Sequence, residues 1–129
     1  MTPIRVLVVD DFDPFREFVR LTLAERPELE IIGEASDGPE AIQKAMELRP
    51  DLILLDLGLP TMNGLAVARR FRELVPKSRI IFFSQESSVD LVGEALRMGV
   101  WGYVLKAKAG SQLLPTVEAV MSGKHSFGS

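Results

Sequence analysis

The chain has 129 residues, with 15 Lys+Arg against 18 Asp+Glu and a net charge of −3 when His is neutral. At about 100–200 residues per domain it is one domain, and its acidic balance argues against DNA or RNA binding by this chain itself. It contains no cysteine, which excludes disulfide frameworks, thiolate zinc sites and cysteine nucleophiles. The apolar run near the N-terminus is too short for a signal peptide or a membrane span. The expectation is a soluble, cytoplasmic protein with no membrane partner.

Five short apolar runs alternate with helical patterns. Ile4–Val9 opens the series and ends in Asp10-Asp11. Phe15, Phe18, Val19 and Thr22 then recur at helical spacing, with Pro14 at an early helical position and Asp13 as its cap. Glu30–Ala35 is the second strand. Asp37-Gly38-Pro39-Glu40 reads as a turn opening the second helix, whose face carries Ala41, Ile42, Ala45 and Met46. Arg49-Pro50 ends that helix before Leu52–Leu55. The third helix carries Val67, Ala68, Phe71 and Leu74 and stops at Val75-Pro76. Arg79–Phe83 follows. Ser87 and Ser88 are placed to cap a fourth helix with Val92, Ala95, Leu96 and Gly99 on one face. Gly102–Leu105 is the fifth strand. Ser111 is placed to cap a fifth helix carrying Leu113, Leu114, Val117, Val120 and Met121, with Pro115 near the end of its first turn. From Ser122 the periodicity is lost, so residues 122–129 read as a tail or the start of a linker and residues 1–121 as the domain.

Continuous apolar strands joined by helices need right-handed crossovers and parallel pairing. The fold class is therefore α/β, a (βα)5 doubly wound parallel sheet with helices on both faces. Such sheets bind ligands outside the carboxyl ends of their strands. There the sequence places Asp10-Asp11, Asp56, Ser84 and Lys106. Three carboxylates packed together need compensating charge. A divalent cation and Lys106 balance them. Ligands that are all oxygen favour Mg²⁺ over zinc, and a carboxylate can itself accept a phosphoryl group. Spacing does not decide which carboxylate does so. Asp56 has the better local case, since it leaves an apolar strand for a turn-rich loop, while the adjacent Asp10 and Asp11 suit a shared metal.

Four stretches in order, Val8-Val9-Asp10-Asp11, Asp56-Leu57-Gly58-Leu59-Pro60-Thr61-Met62-Asn63-Gly64, Ser84 and Gly102-Tyr103-Val104-Leu105-Lys106, resemble the receiver domain of two-component response regulators. The resemblance covers residues 4 to about 121. It implies the flavodoxin-like strand order 2-1-3-4-5. It also implies that Asp56 accepts a phosphoryl group from a sensor histidine kinase. Mg²⁺ would be held by Asp11, Asp56 and the backbone carbonyl of Gly58, with Asp10 contributing. Lys106 would neutralise phosphoryl charge, Ser84 would turn its hydroxyl to the phosphoryl oxygen, and Tyr103 would swing inward when Ser84 moves. The segment Val117–Lys124 resembles the end of receivers that continue into a LuxR/NarL-type DNA-binding output domain. Implied too are regulation of transcription through a domain outside this chain and a homodimer formed on phosphorylation.

The chain departs from the family pattern in places. Gln85 follows Ser84 where a small residue is usual, Asn63 stands where Asp is common, and Ala107 follows Lys106 in place of the frequent proline. The alternatives are a stand-alone receiver working by protein contact or phosphorelay, and a degenerate receiver serving as scaffold. An enzyme is not expected: a Mg²⁺-dependent aspartyl-phosphate hydrolase usually carries a second Asp two residues past the nucleophile, where this chain has Gly58. Neither phosphate-binding glycine fingerprint is present. Trp101 reads as a contact or packing residue, and His125 has no catalytic role.

Overall fold

The computed structural model describes residues 2–86 and 88–127. Strand β1 (Ile4–Val9) leads to helix α1 (Asp13–Leu23), then β2 (Leu29–Ala35), α2 (Gly38–Leu48), β3 (Leu52–Asp56), α3 (Gly64–Leu74), β4 (Arg79–Ser84), α4 (Val89–Arg97), β5 (Gly102–Leu105), a 3-10 turn (Lys106–Lys108) and α5 (Ala109–Met121). A short strand β6 (Ser126–Phe127) closes the series. The sheet has the order β2-β1-β3-β4-β5-β6, and every pairing is parallel. No helix among the described residues is long and apolar enough to cross a membrane.

Two cores form because successive strand residues point to opposite faces. Leu7, Val9, Ile53, Leu55, Ile80 and Phe82 face α2, α3 and α4 through Ala41, Ala45, Val67, Ala68, Phe71 and Ala95. Val6, Val8, Leu52, Leu54, Ile81, Phe83 and Val104 face α1 and α5 through Val19, Leu23, Leu113, Val117 and Val120. All five β3 residues are buried, which explains a strand with no polar alternation. Covering both faces fixes where the strands end, and the loops that follow start from those positions.

The structure corrects the sequence reading at several boundaries. Helix α1 begins at Asp13 itself, and the N-cap position belongs to Phe12, with no side-chain cap. Asp13 instead pairs with Arg16 at 2.9 Å. Helix α5 starts at Ala109, so Ser111 lies in its first turn, where its hydroxyl donates to the Lys108 carbonyl. Pro115 is therefore inside the helix, where it has no amide to give the preceding turn. Ser88 caps α4 by accepting from the Leu91 amide at 3.0 Å; Ser87 lies outside the described residues. Asp37 caps α2 through the Glu40 amide, and Glu40 accepts in return from the Ser36 amide, a reciprocal arrangement close to a capping box. Met46 and Leu96, expected on buried faces, are exposed.

The stretch read as an aperiodic tail contributes β6. Ser126 pairs with Gly102 and Phe127 with Tyr103. Two residues are too few for an alternation signal, so nothing in the pattern marked them. With β6 in place, Tyr103 is not on an edge strand.

Candidate functional site

The carboxyl ends of β1, β3, β4 and β5 converge on one cleft. It is lined by Asp11, Asp56, Gly58, Ser84, Gln85 and Lys106. Asp56 is the last residue of β3, paired with Phe83 of β4. Ser84 is the last of β4, paired with Leu105 of β5, which places Lys106 one residue beyond. Parallel strands in this register bring four distant sequence positions to one rim.

Carboxylate oxygens of Asp10, Asp11 and Asp56 lie within 4.8 Å of one another. Asp10 is 1% exposed and Asp56 4%, while Asp11 is exposed. Lys106 Nζ lies 2.7 Å from Asp10 Oδ2 and 3.4 Å from Asp56 Oδ2. Its ammonium also sits 4.6 Å from the centre of the Phe15 ring, a cation–π contact.

One lysine against three carboxylates leaves two negative charges, which a divalent cation would balance. Asp10 shows the strain of that arrangement. Its Oδ1 accepts from the Phe12 amide at 2.8 Å. Its Oδ2, although ion-paired with Lys106 by distance, has no aligned hydrogen-bond donor. Burial raises the Asp10 carboxyl above its ordinary range, Lys106 and the Phe12 amide oppose that rise, and repulsion from Asp56 adds to it. A buried, poorly satisfied carboxylate oxygen beside two more acids, with no nitrogen or sulfur ligand, fits a hard divalent cation.

Asp56 Oδ1 accepts from the Gly58 amide at 3.0 Å. The carboxylate thus closes its own turn while its Oδ2 faces Lys106. Ser84 Oγ does not point at Asp56. It donates to the Glu86 carbonyl at 2.7 Å and accepts from the Glu86 amide at 3.2 Å. Tyr103 is buried, and its hydroxyl donates to the same Glu86 carbonyl at 3.0 Å. The ring is therefore already inward.

Three residues given no site role in the sequence reading support this cleft. Arg16 Nη1 donates to the Asp10 carbonyl at 2.5 Å, and its other nitrogens engage Glu34 and Asp13, which pins the loop carrying Asp10 and Asp11. Phe15 lies under Lys106. Gly64 lets α3 pass against the Asp56 loop: a Cβ there would fall 2.6 Å from Leu57 Cα and 2.8 Å from the Asp56 carbonyl oxygen. Phe15 was legible only as a core position and Arg16 carried no signal. Gly64 closed a turn-rich loop without revealing what it approached. Trp101 is half-buried, stacked with His125 at 4.3 Å and contacted by Arg79, so it packs within the chain.

A family model described as the response regulator receiver domain matches residues 6–118. The chain is 37% identical over 122 residues to the nitrate/nitrite response regulator protein NarL of Escherichia coli K12, covering 95% of this chain and 56% of that protein. It is 39% identical over 110 residues to a protein-glutamate methylesterase/protein-glutamine glutaminase of Geobacter sulfurreducens, covering 85% of this chain and 29% of that one. The crystal structure of a LuxR-family two-component response regulator from Aurantimonas superposes with a TM-score of 0.91 at 30% identity, covering 97% of this chain and 89% of that one. The chain thus spans about half, or less, of the curated relatives it matches.

Proposed function

Because the chain belongs to the response regulator receiver domains, we propose that it is a phosphorylation-activated switch in which Asp56 accepts a phosphoryl group from a sensor histidine kinase. The observation that carries this reading is Lys106 Nζ lying 2.7 Å from Asp10 and 3.4 Å from Asp56, within three clustered carboxylates. A carboxylate oxygen of Asp56 attacks phosphorus. The bond from phosphorus to the donor imidazole breaks, and its electron pair leaves with the imidazole. Such a reaction depends chiefly on positioning and charge neutralisation.

Asp11, Asp56 and the backbone carbonyl of Gly58 would hold Mg²⁺, with Asp10 contributing. The ion would offset charge developing on the phosphoryl oxygens. Lys106 supplies a fixed positive charge beside Asp56. The Ser84 hydroxyl leaves the Glu86 carbonyl to donate to a phosphoryl oxygen, while Tyr103 stays inward. Phosphorylation adds about one negative charge at neutral pH, and it shifts the domain only through contacts that differ between its two states.

In this reading the chain's own chemistry is limited to phosphorylation and dephosphorylation of Asp56. The expected boundary at residue 121 gives way to a switch that includes β6 (Ser126–Phe127), and a linker to an output domain would follow it. Likeness to transcriptional regulatory proteins of Bacillus subtilis, 32–33% identical over 120–121 residues, supports regulation of transcription as the output; DNA met only through that other domain, a homodimer formed on phosphorylation and work in the cytoplasm belong to the same proposal.

Incubation with Mg²⁺ and acetyl phosphate, followed by intact-mass measurement, tests the assignment. One labile phosphoryl adduct is expected, absent in Asp56→Asn and in EDTA. An adduct that survives the substitution, or none in the parent chain, defeats it.

A further inference from the structure

One carbonyl joins the two residues expected to switch. The Glu86 oxygen accepts from both Ser84 Oγ and Tyr103 Oη, using both of its lone pairs. Behind Tyr103 lies β6. The Tyr103 and Phe127 rings stack with centroids 6.4 Å apart at 28°, and Phe127 packs against the core cluster that contains Tyr103. Two residues earlier, His125 stacks on Trp101. The Ser126 amide donates to the Trp101 carbonyl at 2.9 Å. Residues 125–127 are therefore seated along β5 by two ring stacks and a ladder hydrogen bond.

We propose that Phe127 is a positioning residue for phosphorylation of Asp56, acting by holding the Tyr103 ring inward against the Glu86 carbonyl. The inference rests on Asp56 being the acceptor. To reach a phosphoryl oxygen, the Ser84 hydroxyl must give up the Glu86 carbonyl. That carbonyl keeps a protein donor only while Tyr103 remains in place. Phe127 covers the ring and restrains its outward swing, which makes release of Ser84 easier. Coupling runs both ways, so a phosphoryl group that favours the inward ring also favours the docking of β6.

The experiment compares the parent chain with Phe127→Ala and Phe127→Tyr, using Mg²⁺ and acetyl phosphate with intact-mass readout. Phe127→Ala is expected to reduce the phosphorylated fraction about five-fold, the lower end of typical couplings. Phe127→Tyr restores it, and Mg²⁺ affinity is unchanged in both. In a Tyr103→Phe background, Phe127→Ala adds little, because the hydroxyl it acts through is gone. Equal phosphorylation with and without the Phe127 ring, or the same loss in both backgrounds, overturns the proposal. No adduct in the parent chain overturns it through the acceptor reading instead. If Phe127→Ala fails to fold, amide exchange at Ser126 in the parent chain decides. Slowing of about five-fold on phosphorylation supports the coupling, and unchanged exchange sinks it.

Discussion

Asp10 carries a carboxylate to a place where only 1% of the residue is exposed. Burial raises its pKa above the ordinary 3.8, so the native state binds that proton more tightly than the unfolded chain does. Its contribution to stability is then complete below pH 3.8 and is lost as pH rises through the folded value. At neutral pH the metal-free fold therefore holds the ionised side chain less favourably than it would the protonated one. In EDTA at pH 7, Asp10→Asn should raise the melting temperature by a few degrees, and the advantage should shrink as pH falls toward 3.8. A lower melting temperature for the variant across that range would show that the Lys106 ion pair outweighs the desolvation. Glu40 runs the other way. The Ser36 amide and Lys44 hold its carboxyl below the ordinary range, so its support for the start of α2 is present above pH 4.5 and fades as pH falls through the folded value. Asp10 was legible in the sequence as a strand-terminal acid. The setting of its Oδ2, ion-paired with Lys106 but without an aligned donor, was not, because it depends on neighbours from other strands.

Between single residues and the fold stand the element ends, where close approach decides the outcome. Helix α3 can begin against the Asp56 loop only because Gly64 lacks a side chain; the obstructing atoms are backbone of Leu57 and Asp56. Backbone cannot rotate aside as a side chain does. Gly64→Ala should therefore lower stability by about 1–3 kcal/mol, the usual cost of overpacking, measured by urea denaturation. It should also slow phosphorylation by acetyl phosphate more than the stability loss alone predicts, because the displaced segment carries Asp56. Helix starts were legible where a short polar side chain closes its own turn, as with Asp37 and Ser88. They were misplaced where the start is set by the preceding strand or turn. Asp13 and Ser111 have the right side chains for caps, but the 3-10 turn after β5 runs directly into α5 two residues earlier. Local propensity gives way to such tertiary placement.

For the whole molecule, a metal held by the acid cluster would link binding to folding. A ligand that binds only the native state stabilises it by about 2.7 kcal/mol at a hundred times its Kd. Adding Mg²⁺ should raise the melting temperature in a concentration-dependent way, and Asp11→Ala should remove most of that rise. An equal rise in Asp11→Ala would mean that Asp11 does not take part in the stabilisation by Mg²⁺. Asp10 and Asp11 directly follow β1 and Asp56 ends β3, so the cluster exists only when those strands are paired, and a cation held there would bind the native state alone.

Hydrophobic period and strand-ending residues were enough to establish a (βα)5 sheet, and to place the acids, Ser84 and Lys106 at strand ends. Period is a property of the chain itself, since a strand covered on both faces must be apolar throughout and a helix covering it apolar on one side. Tertiary structure alone decided that Ser84 and Tyr103 share one carbonyl, that Arg16 grips the Asp10 loop, and that residues 126–127 extend the sheet. Each of these depends on a distance between segments far apart in sequence or on an element too short to carry a repeat, and such distances are set by the packing of the folded chain.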